Sequence, residues 1–431
     1  HNMSYITIYG DKMDRFVING GRKLSGKVNI RGAKNSVLPL IAASVLNEGV
    51  THIKNCPRIK DVYVMAKIIE RLGGKFVFSG NTLSLNTENL RSWVLPEDLT
   101  GEIRASVFIT GALISRFGYA ETAKPGGCNI GNRPIDIHIG ALRALKVAVN
   151  EGERVSFNGA RAESGKVVLR FPSVGATENA MMASVKLKGF TIIENCAEEP
   201  EIIDLQNYLN MLGARVSGAG TKTITVEGVD KLYRGEIEFT PRQDRIEAGT
   251  FLLCGACAGG EIEFNGLNTE ESLPLCKIIG RNACKIYQKD DKIYNVKFYA
   301  RKEGFGRVIA EPYPGFPTDL QPQITAAACL PEGLTVTEDR VFPSRFSYAT
   351  ELAKMGADLR VLENVCVISG RRLHGAVVSA GDLRGGAALC LAALGAEGET
   401  VVLNVSHIDR GYEDFEVRLR ELGADVKRIT P

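Results

Sequence analysis

The sequence predicts an α/β protein made of two halves, each of three similar units in which helices pack against small sheets. Three observations carry this. The chain has 431 residues, which is too long for one ordinary core. A helix tail of the Leu-Gly-Ala type recurs along it, at positions 72, 145, 212, 282, 355 and 422, with gaps of 73, 67, 70, 73 and 67 residues. The last three positions are the first three displaced by 210, so a set of three units occurs twice. Within each unit an alanine-rich apolar stretch alternates with runs of strand character.

The unit is clearest between residues 172 and 227. A polar, glycine-containing start, Pro172-Ser173-Val174-Gly175-Ala176-Thr177, leads into an apolar helix over Asn179–Lys186. A strand over Phe190–Glu194 follows, then an amphipathic helix over Glu201–Met211 stopped by Gly213, and strands over Ala214–Ser217 and Thr223–Glu227. The six apolar helices start at Gly32-Ala33-Lys34-Asn35, Gly101-Glu102-Ile103-Arg104, Ser173–Thr177, Gln243-Asp244-Arg245, Phe316-Pro317-Thr318-Asp319 and Gly381-Asp382-Leu383-Arg384. Helix N-termini present free N–H groups and partial positive charge, so several together with Lys34, Arg104, Arg133 and Arg384 suit an anion. For any one of these residues alone, an ordinary N-cap is the simpler account.

Composition narrows the class. The chain is 44% hydrophobic and 24% charged, as in soluble globular proteins, and its net charge of +3 argues against nucleic-acid or membrane-surface partners. No apolar run approaches the roughly 20 residues of a membrane span, and no secretory signal opens the chain, so a cytoplasmic place is expected. His1-Asn2 before Met3 reads as the scar of an expression tag. Ten cysteines without a secretory context argue against a disulfide framework. Cys254-Gly-Ala-Cys257 lies in an apolar run without a second pair, and reads as buried helix cysteines rather than a zinc or redox site. No metal cluster, Walker loop or GxGxxG turn is found, and no cofactor is expected.

One loop stands apart. Glu121–His138, ETAKPGGCNIGNRPIDIH, holds Cys128 after two glycines, with Lys124 and Arg133 close by. Proline and glycine free its backbone from regular structure, and nearby cations make a thiol easier to ionise.

From Phe16 onward these residues resemble the UDP-N-acetylglucosamine 1-carboxyvinyltransferase (enolpyruvyl transferase) family. The resemblance rests on Gly32-Ala-Lys34-Asn35-Ser36, Arg104-Ala-Ser106, Pro125-Gly-Gly-Cys128 with Gly131-Asn-Arg133-Pro134, and Ser173-Val-Gly-Ala-Thr177. It continues with Asp244-Arg245-Ile-Glu-Ala-Gly-Thr250, Phe316-Pro-Thr-Asp319, Asp382-Leu-Arg384 and His407-Ile-Asp-Arg410-Gly-Tyr412. It implies a two-domain inside-out α/β barrel (α/β, α+β) of six βαβαββ-like repeats. Residues 34–242 form the first domain, with the Cys128 loop; 1–33 and 243–431 form the second, and the active site lies in the cleft.

The resemblance also implies a reaction: transfer of the enolpyruvyl group of phosphoenolpyruvate to the 3′-hydroxyl of UDP-N-acetylglucosamine, releasing phosphate. Cys128 is then the acid and a nucleophile, and Asp319 the base. Lys34, Arg133 and Arg410 meet the phosphate of phosphoenolpyruvate, and Arg345 and Arg384 its carboxylate. Asn35, Arg104, Pro134, Ile135, Asp136, Ile137, Ser173, Val174, Gly175 and Val341 resemble the nucleotide-sugar contacts, and Asp382 belongs to the binding set through its motif. Both substrates are the expected partners, with the protein a monomer or a weak homo-oligomer, and fosfomycin-type epoxides should alkylate Cys128.

The second half departs more from the family pattern: Ser347-Tyr348 follow Arg345-Phe346, Pro322 follows Asp319, and Gly385-Gly386 should loosen the helix after Arg384. Phe171 stands where some members have lysine. The alternatives are a diverged non-catalytic UDP-sugar-binding paralogue and 5-enolpyruvylshikimate-3-phosphate synthase, which shares the donor and the fold.

Overall fold

The repeat folds into six small sheets in the computed structural model, which describes residues 13–123, 135–300, 303–330 and 333–431. Five sheets have four strands on one plan: three antiparallel neighbours, and a fourth strand parallel to the first of them. In the sheet of Lys166–Val168, Phe190–Glu194, Thr223–Glu227 and Arg215–Ser217, the parallel pair is Lys166–Val168 with Phe190–Glu194. The sixth sheet, Tyr119–Ala123, Arg154–Asn158 and Ala148–Glu151, keeps only a trace of the fourth strand, a parallel bridge from Val94 to Glu121. Strands alternate buried and outward residues, as in Thr82–Asn86 and Glu236–Phe239, because one face of each sheet covers helices.

The chain divides into two compact units, with boundaries between Arg31 and Gly32 and between Arg242 and Gln243. Each unit closes on itself by borrowing strands across its sequence. In the unit from Gly32 to Arg242, Glu236–Phe239 returns to pair in parallel with Val50–Ile53. In the other, Leu24–Asn29 pairs in parallel with Gly260–Asn265, and Arg15–Asn19 lies antiparallel between Glu399–Leu403 and Asp425–Ile429. The N-terminal strands thus complete sheets begun more than 200 residues later.

Every unit of the repeat has one helix buried nearly all round and one amphipathic helix. The buried ones are Lys34–Ser44, Phe108–Phe117 and Val174–Ser184, then Arg245–Ala258, Gln321–Cys329 and Leu383–Gly395. Small residues let them approach closely. A Cβ on Gly111 would come within 2.4 Å of the Asn179 carbonyl oxygen, so only glycine fits where the helices Phe108–Phe117 and Val174–Ser184 cross. Asn179 uses that contact to accept a hydrogen bond from Gly111 N (2.7 Å). Buried hydroxyls bond back to their own helix, as Ser184 does to Ala180 O and Thr250 to Ile246 O, which gives their protons an acceptor within the helix. The apolar residues form two separate cores, one for each unit.

Several element bounds differ from expectation. The helix expected over Asn179–Lys186 runs Val174–Ser184, because the Ser173 side chain accepts from Ala176 N and starts it earlier. The strands Phe190–Glu194 and Thr223–Glu227 fall as expected, and the helix expected from Glu201 begins at Pro200. Arg104 and Asp319 lie on short 3-10 turns, Arg104–Val107 and Thr318–Leu320, each running directly into its α-helix. Pro322 therefore sits in the first turn of Gln321–Cys329, where its missing N–H has no intrahelical acceptor to lose.

Gly385 and Gly386 do not loosen their helix. A Cβ on Gly385 would meet Asp382 Oδ2 at 2.6 Å, and one on Gly386 would meet Ala380 Cβ and Ile408 Cγ1 at 2.9 Å. The pair lets the helix seat tightly against its neighbours. Cys254 is buried in its helix as expected, and Cys257 is half-buried. No helix among the described residues is long and apolar enough to cross a membrane.

Candidate active site

In the unit from Gly32 to Arg242, the expected nucleotide-sugar contacts gather at one end of the buried helices. Lys34 and Asn35 open the helix Lys34–Ser44, which packs against both the Arg104 turn and the helix Phe108–Phe117. Val174 and Gly175 open Val174–Ser184, while Asp136 and Ile137 open Asp136–Ala144. A Cβ on Gly175 would meet Phe108 Cε1 at 2.4 Å and His138 Cε1 at 3.0 Å, so these three helix starts touch. Lys34, Asn35, Arg104, Ile135, Asp136, Ile137, Ser173, Val174 and Gly175 are all half-buried rather than sealed in the core.

Side-chain capping differs among these starts: Ser173 caps Val174–Ser184, accepting from Ala176 N. Neither Ala33 before Lys34 nor Ile103 before Arg104 offers a side-chain cap. A helix start without a side-chain cap suits an anion. Lys34 Nζ lies 2.7 Å from Asp61 Oδ2, a nearly buried carboxylate in the first turn of Lys60–Arg71. That partner, which holds the ammonium in place, has no signature in the sequence. Asp136 pairs with Arg170 and accepts from Ile137 N. Cys128, Arg133 and Pro134 lie outside the described residues.

The second unit brings three of the expected groups into direct contact. The Asp319 carboxylate lies between two arginines, with Oδ1 2.8 Å from Arg345 Nη1 and Oδ2 3.0 Å from Arg384 Nη2. The arginine side chains are 5% and 2% exposed, whereas Asp319 is 26% exposed, so the carboxylate is the accessible member. Each guanidinium also has a buried Nε without a hydrogen-bond partner among the described residues.

The Arg384 guanidinium lies 5.3 Å above the Tyr412 ring, whose hydroxyl bonds Thr250 (2.8 Å) and Gln323 (3.1 Å). Burial opposes the charge on Arg384, but Tyr412, Asp319 and Asp244 outweigh it and hold its pKa above the ordinary guanidinium value. Asp382 is the N-cap of this helix, its Oδ1 accepting from Arg384 N and Gly385 N at 3.0 Å, and so fixes where Arg384 starts. Asp244 caps Arg245–Ala258 in the same way. Arg410, half-buried, ends the 3-10 turn Val405–Arg410. Val341 is half-buried in the turn after Gly333–Asp339, and its N–H donates to Asp339. Tyr348, one of the departures from the family pattern, is buried with its hydroxyl on Gln321 Oε1 at 3.1 Å.

A second titratable group was not legible in the sequence. Glu178 is completely buried in Val174–Ser184, and both its carboxyl oxygens lack a hydrogen-bond partner among the described residues. Burial, reinforced by the carboxylates of Glu201 and Glu199, raises its pKa well above the ordinary value. The native state therefore holds this proton at pH values where the unfolded chain has lost it. Stability attributable to the group falls as pH rises from its unfolded pKa towards its folded one. Glu178→Gln is expected to flatten that dependence by up to about 1.4 kcal/mol per pH unit across the window. Thermal unfolding of both proteins between pH 5 and 8, on the order of the range where buried carboxyls titrate, checks this; parallel pH profiles would contradict it.

Comparison with known proteins identifies the family of the chain. The EPSP synthase (3-phosphoshikimate 1-carboxyvinyltransferase) family profile matches residues 18–419. A UDP-N-acetylglucosamine 1-carboxyvinyltransferase 2 of Caldanaerobacter subterraneus subsp. tengcongensis is 45% identical over 97% of this chain and all of its own. A protein of the same name from Carboxydothermus hydrogenoformans is 42% identical over the same shares. Among solved structures, the enolpyruvyl transferase NikO from Streptomyces tendae superposes with a TM-score of 0.86 at 25% identity, covering 97% of this chain and all of NikO. EPSP synthase from Acinetobacter baumannii shares the fold, with a TM-score of 0.72 at 17% identity and the same coverage. With relatives of this similarity along its whole length, the chain belongs to the UDP-N-acetylglucosamine 1-carboxyvinyltransferase family, within the wider EPSP synthase group of enolpyruvyl transferases.

Proposed function

We propose that the protein transfers the enolpyruvyl group of phosphoenolpyruvate to the 3′-hydroxyl of UDP-N-acetylglucosamine and releases phosphate, the first committed step of peptidoglycan synthesis. The observation that carries this reading is full-length identity of 45% to a relative named for that reaction. The Arg345–Asp319–Arg384 cluster supplies matching chemistry.

The reaction needs an acid and a base. The methylene carbon of phosphoenolpyruvate gains a proton while the 3′-oxygen loses one and bonds C2, giving a phosphorylated ketal. The C2–O bond to phosphate then breaks, and a proton leaves the methyl carbon to restore the double bond. Cys128 is the acid, and also the nucleophile that can hold a phospholactoyl group. Asp319 is the base. At rest its two guanidinium partners hold its lone pairs. A substrate carboxylate competing for Arg345 and Arg384 loosens that hold and frees an oxygen for the 3′-hydroxyl.

The remaining roles follow charge and position. Lys34, Arg133 and Arg410 take the phosphate of phosphoenolpyruvate. Uncapped helix starts at Lys34 and Arg104, with Asn35, Pro134, Ile135, Asp136, Ile137, Ser173, Val174, Gly175 and Val341, hold the nucleotide sugar. Asp382 acts by placing Arg384. The catalytic domains are residues 34–242 and 1–33 with 243–431, both supplying groups to one reaction. The reading places the protein in the cytoplasm as a monomer or weak homo-oligomer, ties it to cell-wall growth, cell shape and division, and makes it a fosfomycin target.

Phosphate release from phosphoenolpyruvate, followed with UDP-N-acetylglucosamine or with shikimate 3-phosphate as acceptor, tests the reading. Release only with the nucleotide sugar is expected. Release only with shikimate 3-phosphate would move the chain to the sister activity, and binding of the nucleotide sugar without release would make it a non-catalytic relative.

A further inference from the structure

Asp339 ends the strand Gly333–Asp339 and is fully buried, yet its carboxylate is wholly engaged. Oδ1 accepts from the backbone N–H groups of Val341 (2.9 Å) and Phe342 (2.7 Å). Oδ2 accepts from the Thr318 hydroxyl at 2.6 Å. A hydroxyl has one proton, so the proton donated to Asp339 leaves the lone pairs of Thr318 facing the other way. There they accept from Arg345 Nη1 at 3.0 Å, the same nitrogen that donates to Asp319 Oδ1. The chain of contacts runs from the buried carboxylate through one hydroxyl to the guanidinium.

We infer that Asp339 is a positioning residue: through the Thr318 hydroxyl it aims Arg345 at Asp319 and the donor substrate, and through its other oxygen it sets the turn that presents Val341. One buried carboxylate thereby aligns the arm for phosphoenolpyruvate with the segment assigned to the nucleotide sugar. The inference rests on the roles proposed above for Arg345 and Asp319. Arg345 Nη1 carries two protons and serves both acceptors, and its Cζ also lies 5.7 Å from the Phe342 ring centre, so the turn and the guanidinium pack together. Without the Thr318 oxygen, the guanidinium is held from that side by Asp319 alone, and the fork loses its fixed direction.

The test uses the full chain with phosphoenolpyruvate and UDP-N-acetylglucosamine. Thr318→Val keeps the side-chain shape and removes the relay. It is expected to raise KM for phosphoenolpyruvate about 10- to 100-fold, the effect of one charge-assisted hydrogen bond, with nucleotide-sugar Kd within about twofold of wild type. Thr318→Ser keeps the hydroxyl and should stay within about threefold of wild type. Asp339→Asn should raise the same KM and also weaken nucleotide-sugar binding. In the double variant the KM effect should not exceed the larger single one, because both act on one chain of contacts.

An unchanged KM in folded Thr318→Val, or equal impairment of Thr318→Ser and Thr318→Val, would overturn the inference. The Thr318 pair decides the matter even where Asp339→Asn does not fold. Loss of turnover in the wild-type protein would instead overturn the proposed reaction, so the two failures are distinguishable.

Discussion

Cys128→Ala is expected to lower phosphate release from phosphoenolpyruvate by about 10²- to 10⁴-fold, the usual contribution of a positioned general acid. Protonating the methylene carbon makes C2 electrophilic, and the family resemblance assigns that step to Cys128. A residual rate from substrate positioning alone is expected to survive. The thiol should also be the preferred target of a fosfomycin-type epoxide, because most other thiols are protected by their surroundings. Burial pushes Cys196 and Cys276 up to about 11 and Cys284 and Cys366 up to about 12, and it raises Cys254 and Cys390 as well. At neutral pH those six are held as thiols, which are poor nucleophiles. Intact-protein mass spectrometry after exposure to the epoxide should therefore show one adduct in wild type and none in Cys128→Ala. Equal labelling of both proteins would contradict the assignment, as would full activity in the variant.

The second large effect is expected at Arg384. Replacing it with methionine keeps most of the apolar packing on Tyr412 but removes a 2%-exposed cation from Asp319. Losing one member of a buried ion pair typically costs about 3–5 kcal/mol, because the partner is left uncompensated. Asp319 is part-exposed, so water relieves some of that penalty in the resting protein. The loss should fall mainly on the substrate complex, where water is excluded and the carboxylate of phosphoenolpyruvate needs its fork. We expect kcat/KM to fall about 10²- to 10³-fold, with KM for phosphoenolpyruvate rising and the melting temperature changing little. Arg384→Lys should recover only part of the loss, since an ammonium lacks the planar pair of donors. Steady-state kinetics of the three proteins check this; a variant with unchanged KM would place Arg384 outside the substrate contacts.

Much of this was readable from the chain because repeats expose themselves. The recurring Leu-Gly-Ala tails located all six units, and alternation of apolar residues located strands such as Phe190–Glu194 to the residue. Motif residues at helix starts were legible because capping, charge and glycine leave a local pattern. Pairings between distant positions leave none. Asp61 behind Lys34, Thr318 and Asp339 behind Arg345, and Tyr412 beneath Arg384 are joined only by folding.

Glu178 shows the same limit from the other side. It sits in a motif-bearing helix and belongs to a residue type usually found at the surface, yet it is completely buried. Gly385-Gly386 read as weakness by propensity and proved to be a packing requirement, since steric fit against Ile408 and Ala380 decides their use.

The most direct test of the central claim is product identification by NMR, with carbon-labelled phosphoenolpyruvate and UDP-N-acetylglucosamine turned over to completion. The account predicts one labelled vinyl ether on the 3′-oxygen of the sugar for each phosphate released. Labelled pyruvate as the sole organic product, or no product from a protein that binds the nucleotide sugar, would contradict it.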